Sequence, residues 1–282
     1  MFVVSGVTGH VGSGVANELL AKGLKVKVIV RDAAKGAPWS KKGAEIAVGT
    51  LEDQAFLTTA LKSAEGFFAM LPPNFAVPDI YAYQRTLVAA IAGAVKASGV
   101  PQVAMLSSIG ADVEVGNGPI KGTHWLEKAL RETGTKLSAI RAGSFQENIK
   151  NALGAAKAGV YPSFGSPDYP VPMIATKDIA HQIVESLTKP PAKSEVVDLH
   201  GPAYTARQIA EKLGKKIGIS LRVTEIPQAG FLDALLQAGL PKQAAESMAE
   251  MYTGFSQGKL TPKGDRMAHG KTEIDELIAT LG

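Results

Sequence analysis

Cysteine is absent from all 282 residues, which excludes disulfides, thiol nucleophiles and thiolate metal centres. Aromatic residues make up only 6% of the chain and no basic block interleaves with them, so the composition does not support a nucleic-acid partner. The charge excess is small, +4, with lysines spread along the chain; such a field suits a small anionic ligand better than a polyanion. No apolar run is long enough to span a membrane. The first residues read as a strand and not as a charged leader, so a cytoplasmic protein with no membrane partner is the expectation. The five histidines, His10, His124, His181, His200 and His269, stand apart, and H-E-x-x-H does not occur, so no metal is expected.

What is present is concentrated at the start. The apolar run Met1 to Val4 leads into Gly6-Val7-Thr8-Gly9-His10-Val11-Gly12, and a helical pattern follows (Val11, Val15, Leu19, Leu20) with Gly23 just past its end. A second strand, Val26 to Val30, completes a βαβ unit. Gly6 allows the sharp turn off the strand, Gly9 admits a pyrophosphate close to the backbone, and Gly12 lets the helix pack on the sheet with its first amides facing phosphate. The spacing is G-x-x-G-x-x-G, a variant of the common dinucleotide fingerprint. A bound dinucleotide is the expectation, contacted by Gly6, Thr8, Gly9, His10, Val11 and Gly12.

No acidic residue ends the second strand. Arg31 stands there, followed by Asp32 and, slightly later, Lys35. Cations suit a 2′-phosphate, so NADP(H) is expected in preference to NAD(H), while Asp32 keeps open a contact to the adenosine ribose.

Strands and helices then alternate with short links: strands at 44–48, 66–71, 103–107 and 137–141, helices at 53–61, 80–96 and 122–132. This is the pattern of a parallel sheet covered on both faces. The fold class expected is α/β, a Rossmann-type doubly wound parallel sheet, with residues 1–150 as the dinucleotide-binding domain. Residues 151–282 form a smaller substrate lobe, some of whose elements complete the main sheet. The stretch 161–172, with four prolines, reads as irregular, and 205–213 as a helix capped by Gly214. Leu232 to Leu240 and 244–252 read as a helical lid or partner helix. Right-handed crossovers bring the carboxyl ends of the strands to one edge, where a cofactor lies. Leu51 then flanks the adenine, Met70, Leu71 and Pro72 pass the nicotinamide ribose, and Ser107 offers a hydroxyl near the nicotinamide.

The segments SGVTGHVG, VIVR, GTLEDQ, AMLPP, LSSIGA, KGTHWLEKALRETG, IRAGSFQENI, IATKDIA and YTARQIAEKLGKKIG together resemble the NmrA-like family of atypical short-chain dehydrogenases/reductases. The resemblance spans nearly the whole chain. It implies a dinucleotide-binding fold and one of two functions, an NAD(P)H-dependent quinone oxidoreductase or a regulator that senses NADP(H). It also implies that Lys121 lies near the nicotinamide, that Phe145 and Asn148 line the substrate side, and that Gly143 leaves space for the cofactor ring.

A tyrosine followed four residues later by lysine, the usual proton-transfer pair of short-chain dehydrogenases, is missing. Tyr81, Tyr83, Tyr161, Tyr169, Tyr204 and Tyr252 are followed at that spacing by Arg85, Leu87, Gly165, Met173, Gln208 and Ser256. Ordinary alcohol oxidation and sugar epimerisation therefore lose their acid–base group. A quinone needs less help, because charge from hydride addition spreads over a conjugated ring and the protein chiefly orients two flat rings. Lys121 is the candidate for stabilising oxyanion charge, and His124 the candidate proton donor, since imidazole titrates near neutrality. The expectation is an NADPH-dependent reductase of quinones or similar flat acceptors, monomeric or homodimeric. The alternative is a non-catalytic NADP(H) sensor acting through a protein partner.

Overall fold

Strands whose residues are buried on both faces demand a covering layer on each side, and that requirement organises the computed structural model, which describes residues 1–281. The first half runs β1 (Phe2–Val4), α1 (His10–Ala21), β2 (Val26–Val30), α2 (Ala33–Ser40), β3 (Glu45–Val48), α3 (Gln54–Leu61), β4 (Gly66–Ala69), α4 (Ile80–Ser98), β5 (Gln102–Ser108), α5 (Lys121–Arg131), β6 (Lys136–Ala142) and the two-residue β7 (Ser144–Phe145). The second half holds α6 (Leu153–Lys157), β8 (Val160–Phe164), β9 (Val171–Ile174), α7 (Thr176–Thr188), β10 (Glu195–His200), β11 (Ala203–Tyr204), α8 (Ala206–Ile217), β12 (Arg222–Ile226), α9 (Phe231–Gln237), α10 (Lys242–Ser256), β13 (Arg266–His269) and α11 (Ile274–Ala279).

Eight strands form one parallel sheet in the order β13-β10-β6-β5-β4-β1-β2-β3. Its first six follow the doubly wound order 3-2-1-4-5-6, and the reversal between β1 and β4 opens the crevice at their carboxyl ends. On one face Val4, Val28 and Phe68 pack against Val15 and Leu19 of α1 and Ile179 and Ile183 of α7. On the other, Val3, Ile29 and Phe67 pack against Leu57 and Leu61 of α3, Leu87 and Ile91 of α4, and Leu126 and Leu130 of α5. Each of these buried apolar side chains contributes roughly 1.5–3 kcal/mol of transfer free energy.

Several elements depart from the sequence reading. α2 was not expected, because Gly36 and Pro38 lie inside it; Asp32 caps it and Trp39, 7% exposed, anchors it to the core. The proline-rich stretch is not irregular throughout. β8 carries Pro162 and, among the described residues, pairs only with β12, so it has one hydrogen-bonding edge to satisfy and tolerates a missing amide. α8 runs past Gly214 to end at Gly218 in the left-handed region (φ +73°); Gly214 is instead buried under Ile219. The stretch read as one lid is two helices. The second, α10, is seated hard against the loop before α5, since a Cβ on Gly118 would stand 2.0 Å from the Ser247 carbonyl oxygen.

Candidate active site

Tight backbone packing builds the first part of the site. Ser5 donates from Oγ to the Phe68 carbonyl at 2.8 Å, Gly6 turns the chain with φ +67°, and the Gly9 amide returns to the Gly6 carbonyl at 2.9 Å. α1 begins there with no side-chain cap and no acidic residue in its first turn. Its opening amides are therefore free, and the helix end carries a partial positive charge that favours an anion. A Cβ on Gly12 would lie 2.3 Å from the Gly6 carbonyl oxygen, so the helix and strand meet at backbone distance. Thr8, Gly9 and His10 are exposed around the turn, whereas Val11 is buried and its side chain belongs to the core.

Beyond β2, Arg31 and Lys35 are exposed. Asp32 is exposed as well, but one carboxylate oxygen is engaged, accepting from the Ala34 amide at 2.8 Å as the cap of α2. Arg31 lies close enough to Tyr83 to favour the phenolate, but burial first, and then Glu52, hold the Tyr83 hydroxyl above its ordinary range. Leu51 packs partly against the apolar layer of α3 and α4.

After β4, Met70, Leu71 and Pro72 are half-buried, and the Met70 sulfur would lie 3.1 Å from a Cβ placed on Gly6, so this loop rests on the phosphate turn. Ser107 does not present its hydroxyl to the crevice. It is 4% exposed and donates to Glu127 of α5 at 2.5 Å. Glu127 in turn accepts from Arg141 of β6 at 2.9 and 2.8 Å, and Arg141 reaches Asp112 at 3.4 Å. Lys263 joins Asp112 at 3.2 Å. This buried network bolts α5 to the sheet. Burial pulls the Arg141 guanidinium down, but the Glu127 hydrogen bonds and the charges of Glu127, Asp112 and Asp198 together keep it above its ordinary value.

Lys121 opens α5. Its ammonium lies 4.8 Å from the centre of the Tyr81 ring and 4.0 Å from Glu250 Oε1 of α10. Glu250 Oε1 also accepts from the Gly116 amide at 2.8 Å, and the Tyr81 hydroxyl pairs with Ser247 at 3.0 Å. Burial raises the Tyr81 hydroxyl above its ordinary range, the Ser247 hydrogen bond opposing it in part. A tyrosine and a lysine thus do meet, supplied by α4 and α5. His124 turns its Nδ1 to the Ala111 carbonyl at 2.8 Å, so the neutral ring carries its proton on Nδ1 and leaves Nε2 as the basic nitrogen.

Phe145 is half-buried in β7 and packs on the core under α1 and α7, while Asn148 is exposed in the helical turn Gln146–Ala152. Gly143 donates to the Leu199 carbonyl at 3.0 Å, and a Cβ there would meet the Pro172 and Leu199 carbonyl oxygens at ordinary contact distance, 3.4 and 3.7 Å. The structure brings Lys121 and His124 together on one helix; Phe145 and Asn148 follow β6 on a separate segment. Tyr81, Ser247 and Glu250 were not read as site residues, since nothing in sequence links positions 81, 121 and 250. Glu127 and Arg141 carried a signal that went unused, a charged residue inside the apolar strand Leu137 to Ala142 that must find a partner.

A cavity of about 110 Å³ lies between the loop after β4, the start of α4 and the start of α5. A larger hollow, about 650 Å³, opens between α8 and β12, away from the strand ends and from every residue read as part of the site.

The fold and the phosphate turn define a dinucleotide-fold protein, and residues 1–279 match the model of the NmrA-like family, to which the chain belongs. It is 30% identical over 258 residues to an NAD(P)H azoreductase of Xenophilus azovorans, covering 89% of this chain and 86% of that protein. It is 27% identical over 289 residues to quinone oxidoreductase 2 of Escherichia coli (strain K12), covering 100% and 98% of the two. Among solved structures, an NADPH-dependent quinone oxidoreductase from Escherichia coli complexed with NADPH superposes with a TM-score of 0.83 at 26% identity, covering 99% of each chain.

Proposed function

We propose that the protein is an NADPH-dependent reductase that delivers hydride to a quinone or a similar flat, electron-poor acceptor. The observation that carries this reading is the uncapped start of α1 on the backbone-tight Gly6–Gly12 turn, with Arg31 and Lys35 exposed beyond it and Asp32 engaged. The cradle fits a pyrophosphate, and the two cations fit a 2′-phosphate, favouring NADP(H) over NAD(H). The azoreductase and quinone oxidoreductase relatives support the reaction class.

When bound, the reduced nicotinamide supplies a hydride, and hydride plus one proton converts a quinone to its hydroquinone. The chain's own residues orient and neutralise. Met70, Leu71 and Pro72 form the floor beside the ring. Lys121 provides positive charge where acceptor oxygen becomes anionic, and Glu250 and the Tyr81 ring hold that ammonium in place. His124 delivers a proton from Nε2 when the ring is protonated, Nδ1 being occupied by Ala111. Phe145 stacks on the acceptor and Asn148 bonds its carbonyl.

The test is oxidation of NADPH and of NADH by purified protein across a panel of quinones, azo dyes and simple carbonyls. Quinone-dependent NADPH turnover that falls at least ten-fold in Lys121→Met is expected. Tight NADPH binding with no turnover on any acceptor would replace this reading with the sensor.

A further inference from the structure

The ammonium of Lys121 has its charge answered and its hydrogen bonds unused. Glu250 Oε1 stands 4.0 Å away, beyond hydrogen-bond distance, and the only other close group is the face of the Tyr81 ring. Among the described residues, then, none of the three N–H donors is claimed. The Lys121 side chain is 20% exposed and that of Glu250 is 35% exposed, so solvent reaches the pair. Among the described residues no other acid lies within 4.0 Å of this ammonium, and no other cation within that distance of Glu250. The carboxylate is anchored by the Gly116 amide at 2.8 Å, with the Tyr81 hydroxyl at 3.5 Å. Asp112, on the same loop as Gly116, is already matched by Arg141 at 3.4 Å and Lys263 at 3.2 Å.

Such a pair treats ligands differently according to their charge. A neutral carbonyl oxygen in contact with Nζ meets donors that no other group holds, and negative charge developing on that oxygen is nearer to the ammonium than Glu250 is. A carboxylate or sulfonate elsewhere on the ring meets cation and anion together as a nearly neutral unit. It gives up its water with no countercharge to offset the loss. Resting on the reductase reading, we infer that the site takes neutral aromatic acceptors and rejects anionic ones, and that Glu250 is the residue that sets this selection.

The experiment compares 6-carbamoyl- and 6-carboxy-1,4-naphthoquinone, which share one shape and differ by one charge at about pH 7.5. Binding to the NADP⁺-loaded protein is measured by calorimetry and kcat/KM with NADPH. Lack of cysteine removes thiol adduct formation from both measurements. The amide is expected to bind about ten-fold tighter than the acid in the wild type. Glu250→Gln keeps an oxygen for the Gly116 amide and loses only the charge, so the preference is expected to shrink to about two-fold or less, while Glu250→Asp retains it. Equal or tighter binding of the acid by the wild-type protein overturns the inference with no variant required, as does failure of both compounds to bind. A preference that persists in Glu250→Gln also overturns it, by assigning the rejection to the cofactor's phosphates. Absence of turnover on every acceptor would defeat the reductase reading while the binding comparison still decides the charge selection.

Discussion

Replacing Glu127 by glutamine removes one charge from a pair sealed between α5 and β6. Glu127 and Arg141 are 5% and 6% exposed, and the carboxylate takes two bonds from the guanidinium as well as one from Ser107. Glutamine keeps the shape but puts an NH₂ where two donors already point. Arg141 is left with Asp112 at 3.4 Å and with Asp198, its register partner on β10. Breaking one side of a buried pair costs about 3–5 kcal/mol, and the two remaining acids place this case near 3 kcal/mol. That is a large share of a typical total of roughly 5–15 kcal/mol. With an unfolding entropy of about 2.1 cal/mol/K per residue, the midpoint falls by about 5 °C for a chain of 282 residues. Replacing both partners, Glu127→Leu with Arg141→Met, removes the stranded cation but also takes it from the buried Asp198, so it is expected to recover part of the loss. Thermal unfolding followed by circular dichroism measures both. A Glu127→Gln midpoint within about 1 °C of wild type, or a double variant weaker than either single, would refute the argument that the charge pair is what holds α5.

Other perturbations probe other parts of the site. Gly12→Ala drives a methyl into the Gly6 and Ser5 carbonyls, which cannot yield as side chains do; NADPH affinity should fall at least ten-fold and stability by about 1–3 kcal/mol, read by titration and unfolding. Arg31→Ala should weaken NADPH by about ten-fold and leave NADH nearly unchanged, and an equal loss for both cofactors would exclude a 2′-phosphate contact. Burial holds His200 below its ordinary value of 6.5, with Asp198 opposing and His269 adding repulsion. Because the folded value is the lower one, the stability tied to it is complete above the ordinary histidine value and is lost as pH falls through the folded value. His200→Asn should therefore show a smaller drop in urea midpoint between about pH 7 and pH 5 than the wild type.

The order of strands and helices in the first half was legible because glycines, prolines and apolar periods all agreed: β2 falls at Val26–Val30, and α4 starts at Ile80 behind its Asp79 cap. α2 was hidden by Gly36 and Pro38, whose unfavourable propensity is overridden by the burial of Trp39. β13, with exposed Arg266, Met267 and His269, has no apolar signal because it lies at the sheet edge. In the site, Lys121 and His124 were visible as chemical types on one helix, but their partners were not. Glu250 reaches Lys121 from α10, which packs against the loop before α5, and Ala111 holds His124 through a backbone carbonyl that any residue supplies. Ser107 stood at the expected strand end, yet its hydroxyl was claimed by a carboxylate twenty residues later in sequence.

The place of β10 and β13 sets the order in which this chain can safely be made. Until Glu195–His200 emerges, β6 offers seven residues of unpaired edge, and its Arg141 lacks the neighbouring Asp198. An open strand edge on a partly formed parallel sheet is a template for wrong pairing. Synthesis slowed or cut short between β6 and β10 should therefore yield aggregate in place of a free nucleotide-binding half, and the last strands act as the seal on the first six.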